Sequence, residues 1–316
     1  MINNILFIIK LYIKKSIALL FVIILFALFG SIFTIQKQTL IYSEQFFLVG
    51  FRMLLAGILL LAYAYFRNKN IFLSIKFNHI KIFLLLSLCN IYLTNMFEIW
   101  GINHMVSSKA CLLYSLSPFL TALIAYVSIK EKLNKRKAIG MIIGFIGIVP
   151  ILYMKSSKEL TSGTFIAFSL AEFSIILAVV FNIYGWILLK KLILLRYPLV
   201  LSNGISMFFG GLFGLIHSYI SGESWNPFPV TNMNLFLFYT LIMCLISNII
   251  CYNLYGFLLN YFSLTFMAFA GLITPCFALL FGWLFLNEFV DYYYFLSIFL
   301  FFFGLLIFYK EEIKIK

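Results

Sequence analysis

The chain consists almost entirely of uninterrupted apolar stretches, separated by short gaps that hold most of its charge. The stretches cover residues 17–36, 45–66, 81–101, 107–129, 137–154, 164–189, 199–220, 234–258, 263–286 and 292–309. A helix needs roughly 20 apolar residues to cross a hydrocarbon core about 30 Å thick, so each stretch is long enough for one crossing. Membrane strands would instead alternate polar and apolar side chains over about ten residues, and these runs do not alternate. The predicted fold is an all-α integral membrane protein of ten transmembrane helices. Composition removes the soluble alternative: with 64% hydrophobic and 10% charged residues, the chain cannot cover a water-facing surface. Crossings of this length leave no room for an extramembrane domain in 316 residues.

The excess of Lys and Arg, 23 against 10 Asp and Glu, reports orientation rather than affinity for nucleic acid. When loops are sorted by parity, 18 basic residues fall on the side that includes both chain ends and the 2/3, 4/5 and 6/7 loops. Only Lys37, Lys109, Lys155 and Lys158 fall on the other, and Arg52 lies within a span. Both termini are therefore expected to be cytoplasmic, in a multi-pass protein of a cell inner membrane. The first apolar run is too long for a signal-peptide core and lacks a small-residue cleavage site, so it is expected to remain as a helix. Cys89, Cys111, Cys244, Cys251 and Cys276 all lie in apolar runs and are expected to be core residues. His79, His104 and His217 form no metal-ligand pattern, and no nucleotide-binding or hydrolase motif is present. No metal, cofactor or enzymatic activity is expected.

An internal repeat organises the chain. SLSPFLTALIAYVSIKEKLN around the fourth span aligns without a gap to LITPCFALLFGWLFLNEFVD around the ninth. Ser117 matches Thr274, Pro118 matches Pro275, Glu131 matches Glu288 and Gly147 matches Gly304, each pair 157 positions apart. Asn90 and Asn95 match Asn248 and Asn253 at a spacing of 158. Residues 1–154 and 155–316 are thus expected to be two five-helix repeats. Because five is odd, the second copy enters the bilayer from the opposite side, the inverted duplication that many secondary carriers use to alternate access.

These features resemble the EamA-like transporters of the drug/metabolite transporter superfamily. The resemblance rests on the duplicated five-helix pattern and on the Ser/Thr-Pro of the fourth and ninth spans, each followed by a Leu-rich run ending in Glu. It rests also on the Gly-bearing helices GMIIGFIGI and FFFGLLIF, and on the FRMLLAGILLL segment that carries Arg52. The second half lacks an arginine matching Arg52, and the 9/10 loop is acidic and aromatic. The resemblance implies a central cavity lined by both halves and opened alternately to each side. It also implies transport of amino acids, their derivatives or other metabolites, including S-adenosylmethionine exchanged for S-adenosylhomocysteine. The abundance of Phe, Tyr, Ile, Lys and Asn, typical of AT-rich coding in host-dependent bacteria, suits that import role. Export of amino acids or drugs driven by proton exchange is the alternative, and an intramembrane lipid-modifying enzyme a remote one.

Ionisable groups inside lipid are functional candidates by default. Arg52, Glu98 and Glu172 fall at neighbouring depths and can hold a zwitterion, or can pair with one another as a structural cluster. Lys109 is expected to snorkel to the interface. Pro118 and Pro275 each remove a mid-span hydrogen bond and mark cavity walls or hinges, or simple packed kinks. Tyr114, four residues before Pro118, is a candidate for the cavity. Asn90, Asn95, Asn182, Asn248 and Asn253 are expected chiefly to bond across helices, with Asn182 also a candidate substrate contact. Trp100, Trp186 and Trp283 are stacking candidates, but Trp186 is expected in the interfacial belt. The partners implied are a small-molecule substrate and the lipid bilayer, with a monomer or homodimer and no nucleic acid.

Overall fold

The computed structural model describes residues 2–104, 107–114, 116–118, 120–121, 124, 134–147, 170–286 and short helical stretches between 295 and 307. Its helices are α1 (Ile2–Thr39), α2 (Gln45–Arg67), α3 (Phe77–His104), α4 (Ser107–Tyr114), α5 (Lys135–Ile146), α6 (Leu170–Leu194), α7 (Leu199–Ile220), α8 (Met233–Leu258) and α9 (Leu264–Phe285). Seven of these, all but α4 and α5, are long and apolar enough to cross a membrane. The chain is thus an all-α membrane protein. Glu131, Glu288 and Asp291, with Lys155 and Lys158, lie outside the described residues.

Glycine sets the closest helix contact. A Cβ on Gly211 would lie 2.3 Å from the Leu54 nitrogen, one on Gly57 would lie 2.4 Å from the Phe208 nitrogen, and one on Gly50 would lie 2.6 Å from the Leu215 nitrogen. Residue numbers fall along α7 as they rise along α2, so the two helices run antiparallel with their backbones in contact. In lipid, where apolar side chains gain nothing by leaving the solvent, such small-residue seams supply the association through packing. A second antiparallel seam joins α3 to α6, where Gly101 meets Ile175, Gly185 meets Asn90, and the Ser174 hydroxyl donates to the Phe97 carbonyl at 2.7 Å. On the other side of the bundle α1 crosses α9 at Gly30, against Phe277 and Ala278. Helices from each half therefore pack on helices of the other.

The repeat leaves a backbone signature. α3 widens to a π-helical turn at Ser87–Leu93 and α8 does so at Cys244–Cys251, around the matching Asn90 and Asn248. Just beyond each turn an asparagine bonds back to its own helix: Asn95 Nδ2 donates to the Ile91 carbonyl and Asn253 Nδ2 to the Ile249 carbonyl, both at 2.8 Å. Such a turn closes over five residues instead of four and recurs at functional sites.

Loops tie the ends together. The α1–α2 connection pairs with the segment before α8, with the Glu44 amide on the Pro229 carbonyl and the Thr231 amide on the Tyr42 carbonyl. At that end the Asn103 amide of α3 also donates to Gln45 of α2 at 3.1 Å. The Tyr197 hydroxyl, just after α6, accepts from the Lys76 amide and shares a hydrogen bond with His79 near the start of α3. These two clusters mark opposite ends of the bundle, since they hold opposite ends of α3.

Candidate functional site

A cavity lies inside the bundle, lined by residues of α1, α2, α3, α4, α6, α8 and α9 and by Ser117 and Thr121. It holds about 1010 Å³ of atom-free space, open solvent at its mouth included. Four of the sequence-predicted residues, Arg52, Glu98, Tyr114 and Asn182, are on its wall.

Arg52 projects from α2 and is only 2% exposed. Its Nη2 donates to Asn95 Oδ1 at 2.9 Å, and its Nε is buried with no hydrogen-bond partner. Glu98 lies one helical turn beyond Asn95 on α3, on the same face, and its Oε2 accepts from the Tyr114 hydroxyl at 2.5 Å. Among the described residues neither forms an ion pair within 4.0 Å. A buried cation and a carboxylate thus share one chamber, each held by a neutral neighbour.

The other end of the cavity is aromatic. Trp186 stacks on Tyr255 of α8 with ring centroids 3.9 Å apart, and Tyr252 lies 5.4 Å away on the same helix. Phe26 of α1 meets Tyr255 edge-on. The indole Nε1 donates to Asn182 Oδ1 at 2.8 Å. Trp186 is therefore not an interfacial-belt residue. It is 5% exposed, because its position four residues after Asn182 turns it inward on the same face of α6. Trp283, by contrast, is 54% exposed on the outer surface of α9.

The remaining candidates take other places. Glu172 is half-buried in the first turn of α6 and is not on the cavity wall. Ten residues separate it from Asn182, roughly 15 Å of helix. Pro118 is buried between the wall residues Ser117 and Thr121, and Pro275 follows the wall residue Thr274. Of the amides, Asn248 and Asn253 do bond across helices, to Met53 and Asn203 respectively. Asn182 bonds within its own helix, and neither amide atom of Asn90 has a partner. Asn95 was legible only as a packing residue; its place one turn before Glu98 was the available signal for its contact with Arg52. All five cysteines are free, and no metal-ligand cluster occurs among the described residues.

A bundle of membrane helices with a polar chamber inside it has the form of a solute carrier, and the sequence comparisons define the class. The EamA-like transporter family matches residues 16–153 and again 169–310, and the chain belongs to that family. It is a multi-pass membrane transporter and not an enzyme. Among its relatives, the S-adenosylmethionine/S-adenosylhomocysteine transporter of Chlamydia muridarum is 35% identical over 263 residues, covering 83% of this chain and 81% of that protein. The protein of the same name from Chlamydia trachomatis serovar L2 is also 35% identical, over 83% and 79%. A chloroplastic WAT1-related protein of Arabidopsis thaliana is 25% identical over 83% and 62%. A solved crystal structure that is 13% identical has the same fold, with a TM-score of 0.71 over 96% of this chain and 99% of that one.

Proposed function

We propose that the chain carries a small zwitterionic amino-acid derivative across a cell inner membrane by alternating access, exchanging S-adenosylmethionine for S-adenosylhomocysteine. The observation that carries this reading is the pair Arg52 and Glu98, oppositely charged, in one cavity and not bonded to each other. An isolated buried charge is costly unless a partner compensates it. A ligand carboxylate on the Arg52 guanidinium and a ligand ammonium or sulfonium beside Glu98 would compensate both at once. The chlamydial relatives support the choice of substrate pair.

The architecture we assign is ten spans in two inverted repeats, residues 1–154 and 155–316, with both termini cytoplasmic. The antiparallel contact of α2 with α7 supports it, since these are the second helices of the two repeats. The π-helical turns in α3 and α8 support the same equivalence. Pro118 and Pro275, beside wall residues of matching spans, serve as hinges. Glu172 lies apart from the cavity and on this reading does not contact the bound substrate.

Counterflow tests the reading. Vesicles reconstituted with the purified chain and loaded with S-adenosylhomocysteine are expected to accumulate labelled S-adenosylmethionine. Arg52→Gln and Glu98→Gln are expected to abolish that uptake. Uptake of plain amino acids alone, dependent on a proton gradient, would favour an amino-acid carrier with Glu98 as its proton site.

A further inference from the structure

Resting on that transport reading, we infer that Trp186, Tyr255 and Asn182 form a second subsite of the cavity, which takes a planar nitrogenous ring of purine type carried by the substrate. The two ends of the cavity differ in chemistry and lie at different depths. Arg52 is seven residues into α2, and Glu98 is six residues before the end of α3, at the bundle end where Asn103 meets Gln45. Trp186 is eight residues before the end of α6, and Tyr255 is three before the end of α8. Both lie toward the opposite end, where Tyr197 meets Lys76 and His79. The two groups adjoin at Tyr252, which neighbours Trp186 on one side and Asn95 and Arg52 on the other, so a ligand in the chamber carries its charges beside Arg52 and Glu98 and a stackable group beside Trp186.

Two features of the second end select a heteroaromatic ring over an aliphatic chain. The Trp186–Tyr255 stack, extended by Tyr252, offers a rigid aromatic surface away from lipid. Flat rings stack on such surfaces, and every base has a π-face to offer. Asn182 supplies direction. Because the indole N–H can only donate, the Asn182 oxygen is committed to it, and the amide nitrogen of Asn182 is left to donate to the cavity. The unprotonated ring nitrogens of a purine are matching acceptors. An aliphatic or thioether side chain would leave that donor unmet.

Competition binding on the purified full-length chain tests the subsite, with labelled S-adenosylhomocysteine as the probe and adenosine and methionine as separate competitors. Both competitors are expected to displace the probe from the wild-type chain. In Trp186→Leu, probe affinity is expected to fall about tenfold or more and adenosine competition to vanish, while methionine still competes. Trp186→Phe is expected to restore most of the affinity, and Asn182→Leu to weaken adenosine while sparing methionine. These last two variants carry the test if Trp186→Leu does not fold. Equal losses for adenosine and methionine, or no loss in any variant, would overturn the subsite. If adenosine binds through Trp186 and no S-adenosylmethionine counterflow occurs, the subsite stands and the transport reading falls. If methionine is carried and neither purine compound binds, the transport of a zwitterion stands and the subsite is overturned.

Discussion

Arg52 and Asn203 donate to matching asparagines of the two halves but from different helical registers: Gly50, Met53 and Gly57 of α2 align with Gly204, Met207 and Gly211 of α7, so that Arg52 corresponds to Ser206. Arg52, on α2, donates to Asn95 at 2.9 Å, and Asn203, on α7, donates to Asn253 at 3.0 Å. The two acceptors match at 158 positions apart and bond to their own helices in the same way. The matched asparagines thus take a charged donor in one half and a neutral one in the other, and of the two donors only Arg52 reaches the cavity wall.

This asymmetry predicts different consequences for removing the two donors. Asn203→Ala is expected to lower the thermal stability of the purified chain, because it removes a buried inter-helix hydrogen bond worth about 1 kcal/mol, and to leave substrate affinity unchanged. Arg52→Ala is expected to weaken substrate binding by about 30-fold or more. Calorimetric binding and thermal unfolding, measured on both variants, check the pair.

Tyr114 positions the carboxylate of Glu98 through its 2.5 Å hydrogen bond. Tyr114→Phe keeps the ring against Phe33, 5.9 Å away, and removes only the donor. Loss of a hydrogen bond to a charged group costs about 1.5–3 kcal/mol, so affinity for a cation-bearing substrate is expected to fall at least tenfold while the fold is retained. Unchanged affinity would mean that Glu98 does not face the ligand's cation.

Helix–helix contacts predict which glycines tolerate substitution. Gly211→Val places its side chain against the Leu54 backbone, which cannot move without separating the helices. Little folded protein is expected from that variant. Gly271→Ala meets only the edge of the Phe26 ring, at 3.3 Å, and is expected to fold. Size-exclusion profiles in detergent distinguish the two outcomes.

Outside the spans, Glu223 caps α2 from the loop after α7. Its carboxylate accepts from the Phe46 and Phe47 amides at 2.7 and 2.8 Å and from the Ser218 hydroxyl at 2.6 Å. Burial, with Glu44 adding to it, pushes this carboxyl above the ordinary glutamate range, against the opposing pull of those three donors. A raised folded-state value means that the group's contribution to stability is present below the ordinary value and is lost as pH rises through the raised one. The melting temperature is expected to decline over that window in the wild type and to decline less in Glu223→Gln. Identical slopes for the two would contradict the assignment.

The seven crossings among the described residues were legible in the sequence because lipid imposes one rule on every crossing. The apolar run 199–220 and helix α7 have the same bounds, and most other ends differ by a few residues. Arg52, Glu98 and Tyr114 were legible as cavity residues because charge and a proline-flanking aromatic are conspicuous inside apolar segments. Trp186 was not. Depth alone placed it near an interface, and only the facing of α6 toward α8 shows that it turns inward onto Tyr255. The parallel between Asn203 and Arg52 was hidden for a related reason: the two share neither side-chain chemistry nor helical register, only the matching of their acceptors Asn253 and Asn95. The π-helical turns leave no mark in hydropathy, since inserting a wider turn changes helical phase and not apolar content.

The central claim is that Arg52 binds the carboxylate of a zwitterionic substrate. Its most direct measurement is the affinity of wild type and Arg52→Gln for S-adenosylmethionine and for the analogue lacking the carboxylate. The account predicts that the wild type prefers the intact compound by about 30-fold or more, as expected for a buried hydrogen-bonded charge pair, and that Arg52→Gln binds both alike. A variant that kept the full preference would show that the carboxylate is held elsewhere and would contradict the account.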